Sequence, residues 1–217
     1  MPDRSDRSDS RDRLHRDFPL FPLGIVALPT ENVPLHIFED RYRTMIEQCL
    51  EEHREFGILW MAEDELKPIG CACKVETVLE RLEDGRMNIL ARGTRPFRLV
   101  ERQDDLPYPA GVVEFLDEPD EPADPEVVSA TRQLYAELVE QATDNALSEE
   151  EIEALNAYRM AATVEFGTDA KQELLELRSE NARLRLLTML FRAAIKRMEL
   201  VERAQAHARS NGKVRFG

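Results

Sequence analysis

The sequence predicts an α+β fold, in which a β-rich part with one early helix is followed by a bundle of α-helices. Short apolar runs separated by prolines and glycines fill residues 18–116, which is typical of strands in a small barrel or a sandwich. After an acidic, proline-rich stretch, apolar residues recur at helical spacing as far as residue 207. The 217 residues are 42% hydrophobic and 33% charged, so the chain can bury a substantial core.

Both ends of the chain are predicted to lie outside the folded part. Residues 1–17 contain five Asp and five Arg and almost no apolar side chain, so burial cannot offset the entropy lost on ordering them. We therefore expect a disordered mixed-charge tail over residues 1–17. Residues 208–217 are expected to form a polar tail.

The β-rich domain is predicted to span residues 18–118. Its strands are expected at residues 18–24, 25–28, 33–38, 56–61, 69–82, 87–91, 97–102 and 111–116. Residues 39–52 are predicted to form an amphipathic helix, because positions 42, 45, 46, 49 and 50 are apolar. Within this helix, Tyr42 is expected to pack its ring inward. Asp84-Gly85, between two strands, is typical of a tight hairpin turn.

The helical domain is predicted over residues 126–207, after an acidic, proline-rich linker at 119–125. Its helices are expected at residues 126–143, 148–165 and 169–207, the last of which can contain a break. Ser148 and Glu151 have the spacing of a capping box, which places a helix start at Ser148.

The charge and the cysteines restrict the class of protein. A net charge of −14 argues against nonspecific binding to DNA, RNA or anionic lipid. The sequence has no apolar stretch long enough to span a membrane and no signal-peptide pattern, and its three cysteines are too few for a disulfide framework. We therefore expect a cytoplasmic protein with reduced cysteines and no membrane partner.

The last predicted helix can be interpreted as a surface through which two copies of the chain associate. Over residues 174–201, apolar side chains follow a 3–4 spacing, and Asn181 stands where an asparagine can specify a parallel dimer. Additional leucines widen the apolar stripe beyond a two-residue seam, so packing within the chain is favoured. A homodimer through the 174–201 helix is the alternative.

Several motifs resemble one known family, the Lon protease N-terminal (substrate-binding) domain. They are Phe18-Pro-Leu-Phe-Pro-Leu, Val33-Pro-Leu-His-Ile-Phe-Glu-Asp-Arg-Tyr42, Asp84-Gly-Arg-Met-Asn-Ile89 and Gly93-Thr-Arg-Pro-Phe-Arg98. The resemblance covers about residues 18–116 and is nearest to short bacterial stand-alone proteins that carry only this domain. It implies a PUA-like pseudobarrel followed by helices, and a role in recognising polypeptide segments.

No enzymatic motif accompanies this resemblance. Full-length Lon proteases carry an ATPase and a Ser-Lys peptidase, but this sequence has no phosphate-binding loop, and its one Gly-Lys pair, Gly212-Lys213, is followed by Val214. Ser210 and Lys213 have an S-x-x-K spacing, but within a polar tail. Neither the cysteines nor the scattered histidines have the spacing of a metal site. We expect a non-enzymatic protein without cofactor or metal, with Cys71 and Cys73 in the core.

The leading functional hypothesis is a non-catalytic polypeptide-binding or adaptor protein in protein quality control. Its partners would be unfolded or exposed polypeptide segments, together with a protease or chaperone. The candidate contact residues, each of which fits a core position equally well, are Phe21, Leu35, Phe38, Phe56 and Trp60.

The alternative hypothesis is an RNA-binding module, because the implied pseudobarrel is shared with RNA-binding proteins. Its surface would be the arginine patch, defined as Arg92, Arg95, Arg98 and Arg102, with the neighbouring Phe97 available for base stacking. The acidic stretch that follows the patch argues against nucleic acid as a partner.

Overall fold

The computed structural model describes residues 14–211, with side chains to residue 205. Within this range the strands are β1 (Leu14–Leu23), β2 (Asn32–Ile37), β3 (Phe56–Ala62), β4 (Glu65–Leu66), β5 (Ile69–Arg81), β6 (Met87–Gln103) and β7 (Ala110–Phe115). The helices are α1 (Asp40–Glu51), α2 (Pro125–Thr143), α3 (Glu149–Glu153), α4 (Ala157–Ala161), α5 (Thr168–Glu176) and α6 (Glu180–Asn211). The predicted α+β class, with strands and one early helix before the remaining helices, is confirmed.

The strand pairings close into a ring, as expected for a barrel. In the order β1-β7-β6-β5-β3 each neighbouring pair is antiparallel, and β1 then pairs with β3 in parallel, with Leu20 opposite Gly57. β2 lies off this ring and pairs with β6 from Asn32 opposite Arg92 to Ile37 opposite Met87. Among the described strands β6 is the only partner of β2, so β2 is an edge strand.

The core of the barrel is built around the ring of Phe97. This side chain is fully buried and packs with Phe18, which meets it edge-on at 5.4 Å between ring centroids. Two glycines leave the space that the ring fills, because a β-carbon on Gly57 or Gly70 would lie 2.4 or 2.9 Å from its Cζ atom. Cys71 and Cys73, predicted to be core residues, are also fully buried.

Some strand predictions need correction. The two strands expected at 87–91 and 97–102 form one long strand, β6, because three register shifts against β5 allow the pair to bend without ending. The run 25–28 is not a strand. It is a mostly buried loop, in which the Leu28 N–H donates a hydrogen bond to the Glu31 side chain at 2.9 Å.

The first strand begins inside the predicted N-terminal tail. Residues 14–17 belong to β1, where the His15 ring packs on Phe115 at 4.6 Å and the Asp17 N–H donates to the Gln103 side chain at 2.9 Å. At the other end, α6 continues to Asn211, into the predicted polar tail. The remainder of the two predicted tails, residues 1–13 and 212–217, lies outside the described residues.

The described chain divides into two compact units. The barrel unit comprises the residues up to Pro119 together with Tyr158–Arg178, and the helical unit comprises Asp120–Ala157 and the residues from Ser179. The sequence-based division differs, since it assigned all of 126–207 to one helical domain. Residues on α5 join the barrel unit because Gln172 Nε2 donates to the Ile69 carbonyl at 3.1 Å.

In the helical unit, α2 and α6 lie side by side and run in the same direction. Thr131 on α2 is within hydrogen-bond distance of Thr188 on α6, Oγ1 to Oγ1 at 2.9 Å, and one turn further along each helix the rings of Tyr135 and Phe191 pack at 5.6 Å. Asn181 lies at the start of this contact. Its side chain accepts from the Asp124 N–H at 2.7 Å and donates to the Pro122 carbonyl at 3.2 Å.

The helix predicted at 148–165 is two short helices, α3 and α4. The capping box is present, with the Glu151 N–H donating to Ser148 Oγ at 3.3 Å. The helix stops after Glu153 because the Arg132 guanidinium donates to the carbonyls of Glu153 and Leu155, which a continuous helix would use internally.

The helix predicted at 169–207 also breaks. α5 ends at Glu176 and α6 begins at Glu180, where the Ser179 hydroxyl accepts from the Ala182 N–H at 3.5 Å, as an N-cap does. The break that the sequence allowed in this segment therefore lies at residues 177–179, and Leu174 and Leu184 belong to different units.

Candidate functional site

A groove of about 460 Å³ lies between β2, the end of β1 with its following loop, and the first turn of α1. Most of its lining is apolar, and the side chains that form it include Phe21, Leu23, Ile25, Leu35, Phe38 and Tyr42. We call this feature the β2 groove. All of its walls belong to the barrel unit.

The floor of the β2 groove is a stack of aromatic rings. Phe21 and Tyr42 lie nearly parallel with ring centroids 4.1 Å apart, and the Phe56 ring lies 6.4 Å behind Phe21. The Arg41 guanidinium covers the Tyr42 ring at 4.7 Å. Burial raises the pKa of the Tyr42 phenol, although Arg41 opposes this effect, so the phenol stays neutral. The aromatic rings of the floor therefore carry no charge.

The rim of the β2 groove leaves two large apolar side chains in water. Phe38 is 58% exposed and Ile25 is 39% exposed. The Phe38 ring stacks on the His36 ring, with centroids 5.9 Å apart and planes inclined by 21°. An aromatic side chain held in this way loses little entropy when a partner covers it, which is a property of interface residues.

A polar row across three strands fixes the rim. His36 on β2 is 2.6 Å from Asn88 Oδ1 on β6 through its Nδ1, and Asn88 Nδ2 donates to Glu80 on β5 at 2.8 Å. The backbone register places the same three residues opposite one another. These hydrogen bonds orient the His36 ring, on which the Phe38 ring stacks.

The outer edge of β2 borders the β2 groove. Proline has no N–H to give to a sheet, so in an edge strand it turns its nitrogen to the open side. Pro34 is on β2 and lines the groove, as does His36 two residues later. Because successive residues alternate between the two edges of a strand, the backbone of His36 is expected to face the open side as well.

The structure separates the five predicted contact residues. Phe21, Leu35 and Phe38 line the β2 groove together, whereas Phe56 is fully buried beneath it. Trp60 is half-buried on β3, opposite Leu23, and does not line the groove. Phe56 and Trp60 are therefore not contact positions in this groove.

Ile25 was not predicted as a rim residue, because residues 25–28 were expected to form a strand. The available signal was Gly24, which interrupts the apolar run directly before Ile25. Tyr42 was correctly expected to pack inward, and it is 6% exposed.

The arginine patch lacks the stacking residue that was proposed for RNA binding. Phe97, the proposed stacking residue, is fully buried. Arg95 lies over the Phe115 ring at 3.6 Å and donates to Glu55 at 2.8 Å, and Arg98 is 3.9 Å from Glu114. Two of its four guanidinium groups thus face carboxylates of the barrel itself.

Within residues 14–211, no three His, Cys, Asp or Glu side chains come together in an arrangement that could hold a metal ion. No helix in this part of the chain is both long enough and apolar enough to cross a membrane. The cysteines at 49, 71 and 73 are buried and form no disulfide.

Comparison with known proteins gives a family match and two similar structures. The sequence model described as the ATP-dependent protease La (LON) substrate-binding domain matches residues 17–192. The fold is similar to that of a Lon N-terminal domain protein from Xanthomonas campestris, with a TM-score of 0.62, 23% identity, and coverage of 79% of this chain and 96% of the other. It is also similar to the N-terminal domain of a Mycobacterium avium complex Lon protease, with a TM-score of 0.61, 21% identity, and coverage of 81% and 97%.

Proposed function

Since this chain belongs to the family of Lon (ATP-dependent protease La) substrate-binding domains, we propose that it binds polypeptide segments with exposed apolar side chains in the β2 groove. The observation that carries this proposal is the rim of the groove. Phe38 and Ile25 stand in water above a floor of stacked aromatic rings. Covering an exposed phenylalanine is favourable by up to about 1.5–3 kcal/mol, which gives the groove an affinity for apolar side chains.

The conformation of the bound segment follows from the neighbouring strand. A segment that enters the β2 groove lies along the outer edge of β2, where Pro34 and His36 line the groove. An extended segment can add to such an edge by main-chain hydrogen bonds, while every second side chain enters an apolar pocket. Recognition would thus depend on extended shape and apolar alternation rather than on one particular sequence.

The bound segment would undergo no chemical change on this protein. The polar side chains of the groove already have structural contacts, since His36 bonds to Asn88 and the Arg41 guanidinium bonds to Glu39 at 2.9 Å while covering Tyr42. We propose an adaptor role in protein quality control, in which a held segment is passed to a separate protease or chaperone.

The direct test is binding of a fluorescein-labelled peptide in which phenylalanine or leucine alternates with serine, measured by fluorescence anisotropy. We expect saturable binding that Phe38→Ser weakens about five- to tenfold, because the exposed ring can no longer be covered. Val100→Ser is the matched control, since Val100 is 52% exposed on the same sheet but does not line the groove. No saturable binding, or equal loss in both variants, would show that the β2 groove is not the site.

A second peptide tests whether the bound segment pairs with β2 through its backbone. A peptide of the same sequence with N-methyl groups on alternate residues keeps its side chains but loses donors to β2. We expect it to bind several-fold more weakly, because main-chain hydrogen bonds supply much of the affinity in strand addition. Unchanged binding would mean that the segment is held by its side chains alone.

A further inference from the structure

An ion pair joins the barrel to a helix made much later in the chain. Lys171 Nζ on α5 donates to Glu31 Oε1 at 2.5 Å, across 140 positions of sequence. The Lys171 and Glu31 side chains are only 14% and 13% exposed, so solvent screens the pair much less than a surface pair. Both residues belong to the barrel unit.

Glu31 organises the loop that precedes it. The Leu28 N–H donates to Glu31 Oε2 at 2.9 Å, and the Glu31 N–H returns a bond to the Leu28 carbonyl at 3.1 Å. The carbonyl of Glu31 accepts from the Gly93 N–H at 2.9 Å, which holds the loop on β6. The carboxylate that Lys171 holds is therefore the one that closes the turn at Leu28.

This loop connects two walls of the β2 groove. It begins at Gly24 and Ile25, which line one wall, and it ends where β2 begins, two residues before Pro34 of the opposite wall. The separation of the two walls therefore depends on the conformation of residues 24–31.

We propose that Lys171 is a positioning residue for the β2 groove, which it shapes through Glu31 and the 24–31 loop without touching the bound segment. The inference rests on the proposed function, because it names what controls the affinity of that same groove. α5 can hold Lys171 in place because Gln172, the residue after Lys171, donates a hydrogen bond to the Ile69 carbonyl of β5. Without the ion pair the loop samples other conformations, and the apparent affinity falls with the fraction of molecules that keep a formed groove.

The experiment measures two quantities in the full chain. The first is amide hydrogen exchange of Leu28, whose N–H bonds directly to the Glu31 carboxylate. The second is the affinity for the alternating apolar peptide. Lys171→Met keeps the length and apolar stem of the side chain but removes its charge, whereas Lys171→Arg keeps the charge. Lys67→Met is the matched control, because Lys67 pairs with Glu65 at 2.9 Å in the same unit without contacting the loop.

We expect Lys171→Met to accelerate Leu28 exchange and to weaken peptide binding, each by about tenfold, while Lys171→Arg recovers most of both. Lys67→Met should leave both quantities at their wild-type values. Exchange and affinity that are unchanged in Lys171→Met, or a loss that Lys171→Arg does not recover, would overturn the proposal. If the wild-type protein binds no peptide, the proposed function fails, and the role of Lys171 is then decided by the exchange of Leu28 in the free protein.

Discussion

Gly93 and Leu28 are in such close backbone contact that a β-carbon on Gly93 would lie 2.0 Å from the Leu28 carbonyl oxygen. Two later residues of the turn explain the contact, because the Thr30 N–H donates to the Gly93 carbonyl at 2.8 Å and the Glu31 carbonyl accepts from the Gly93 N–H at 2.9 Å. A glycine is thus required where the 24–31 loop crosses β6.

Gly93→Ala should be strongly destabilising. The β-carbon would meet backbone atoms rather than a flexible side chain, so the loop has to move away from β6. We expect the free energy of unfolding to fall by about 1–3 kcal/mol or more, measured by urea denaturation. Gly24→Ala is the control, because a β-carbon there would have no neighbour within 4 Å, and its effect should be near zero or slightly stabilising.

Asn181→Leu separates packing within the chain from a parallel dimer. Asn181 accepts from the Asp124 N–H and donates to the Pro122 carbonyl, so leucine would leave both backbone groups without these partners. We expect a loss of about 1–3 kcal/mol in the free energy of unfolding. In a dimer seam the same change would raise stability. A more stable Asn181→Leu variant that sediments as a larger oligomer would therefore contradict the intramolecular role of Asn181.

Two apolar positions on α6 should respond very differently to truncation. Leu184 is 1% exposed, and Leu184→Ala should lower the free energy of unfolding by about 2–5 kcal/mol. Met189 is 62% exposed on the same helix, and Met189→Ala should change it by less than about 0.5 kcal/mol. If Met189→Ala were as harmful as Leu184→Ala, the exposed face of α6 would have to be covered in solution by another molecule.

The buried Cys49 thiol should make the protein less stable at alkaline pH. Burial raises the pKa of Cys49 from 9.0 to about 11, with Arg54 opposing and Glu52 reinforcing the shift. The unfolded chain releases this proton near pH 9 and the folded chain does not, so the stabilisation is complete below pH 9 and is lost as the pH rises towards 11. Urea denaturation from pH 8 to pH 10 should show a decline in the free energy of unfolding to which the Cys49 thiol contributes up to about 1.4 kcal/mol per pH unit. Cys49→Ala should give a shallower decline, and an unchanged slope would contradict this assignment.

Features with a local signal were predictable from the sequence. α1 was expected from apolar spacing and lies within one residue of its predicted ends, and the capping box at Ser148 is present. The family resemblance carried by the motifs around Pro34 and Asp84 is confirmed by the match over residues 17–192. In each case the pattern extends over a few residues, and the interactions that it indicates join residues close together in the chain.

Features that depend on distant partners could not be predicted in this way. The interruption after Glu153 depends on Arg132, and the assignment of α5 to the barrel unit depends on Glu31 and Ile69. The β2 groove was half predicted for the same reason. Its aromatic residues are conspicuous in the sequence, but Phe56 is buried on a strand of the closed ring, whereas Phe38 follows the edge strand β2 and is 58% exposed.

Residues 158–178 belong to the barrel unit although they follow part of the helical unit in the chain. The barrel unit therefore cannot finish folding until these residues have been synthesised. When Pro119 leaves the ribosome, every strand found within residues 14–211 has been made, but Lys171 and Gln172 have not. At roughly 5–20 residues per second, the nascent chain then waits several seconds for α5. During that interval α2 emerges without its partner α6. Part of the helical unit is therefore synthesised before the barrel unit has all of its residues. A chaperone that meets the nascent chain at this stage will therefore encounter a barrel whose 24–31 loop does not yet have the Lys171–Glu31 ion pair.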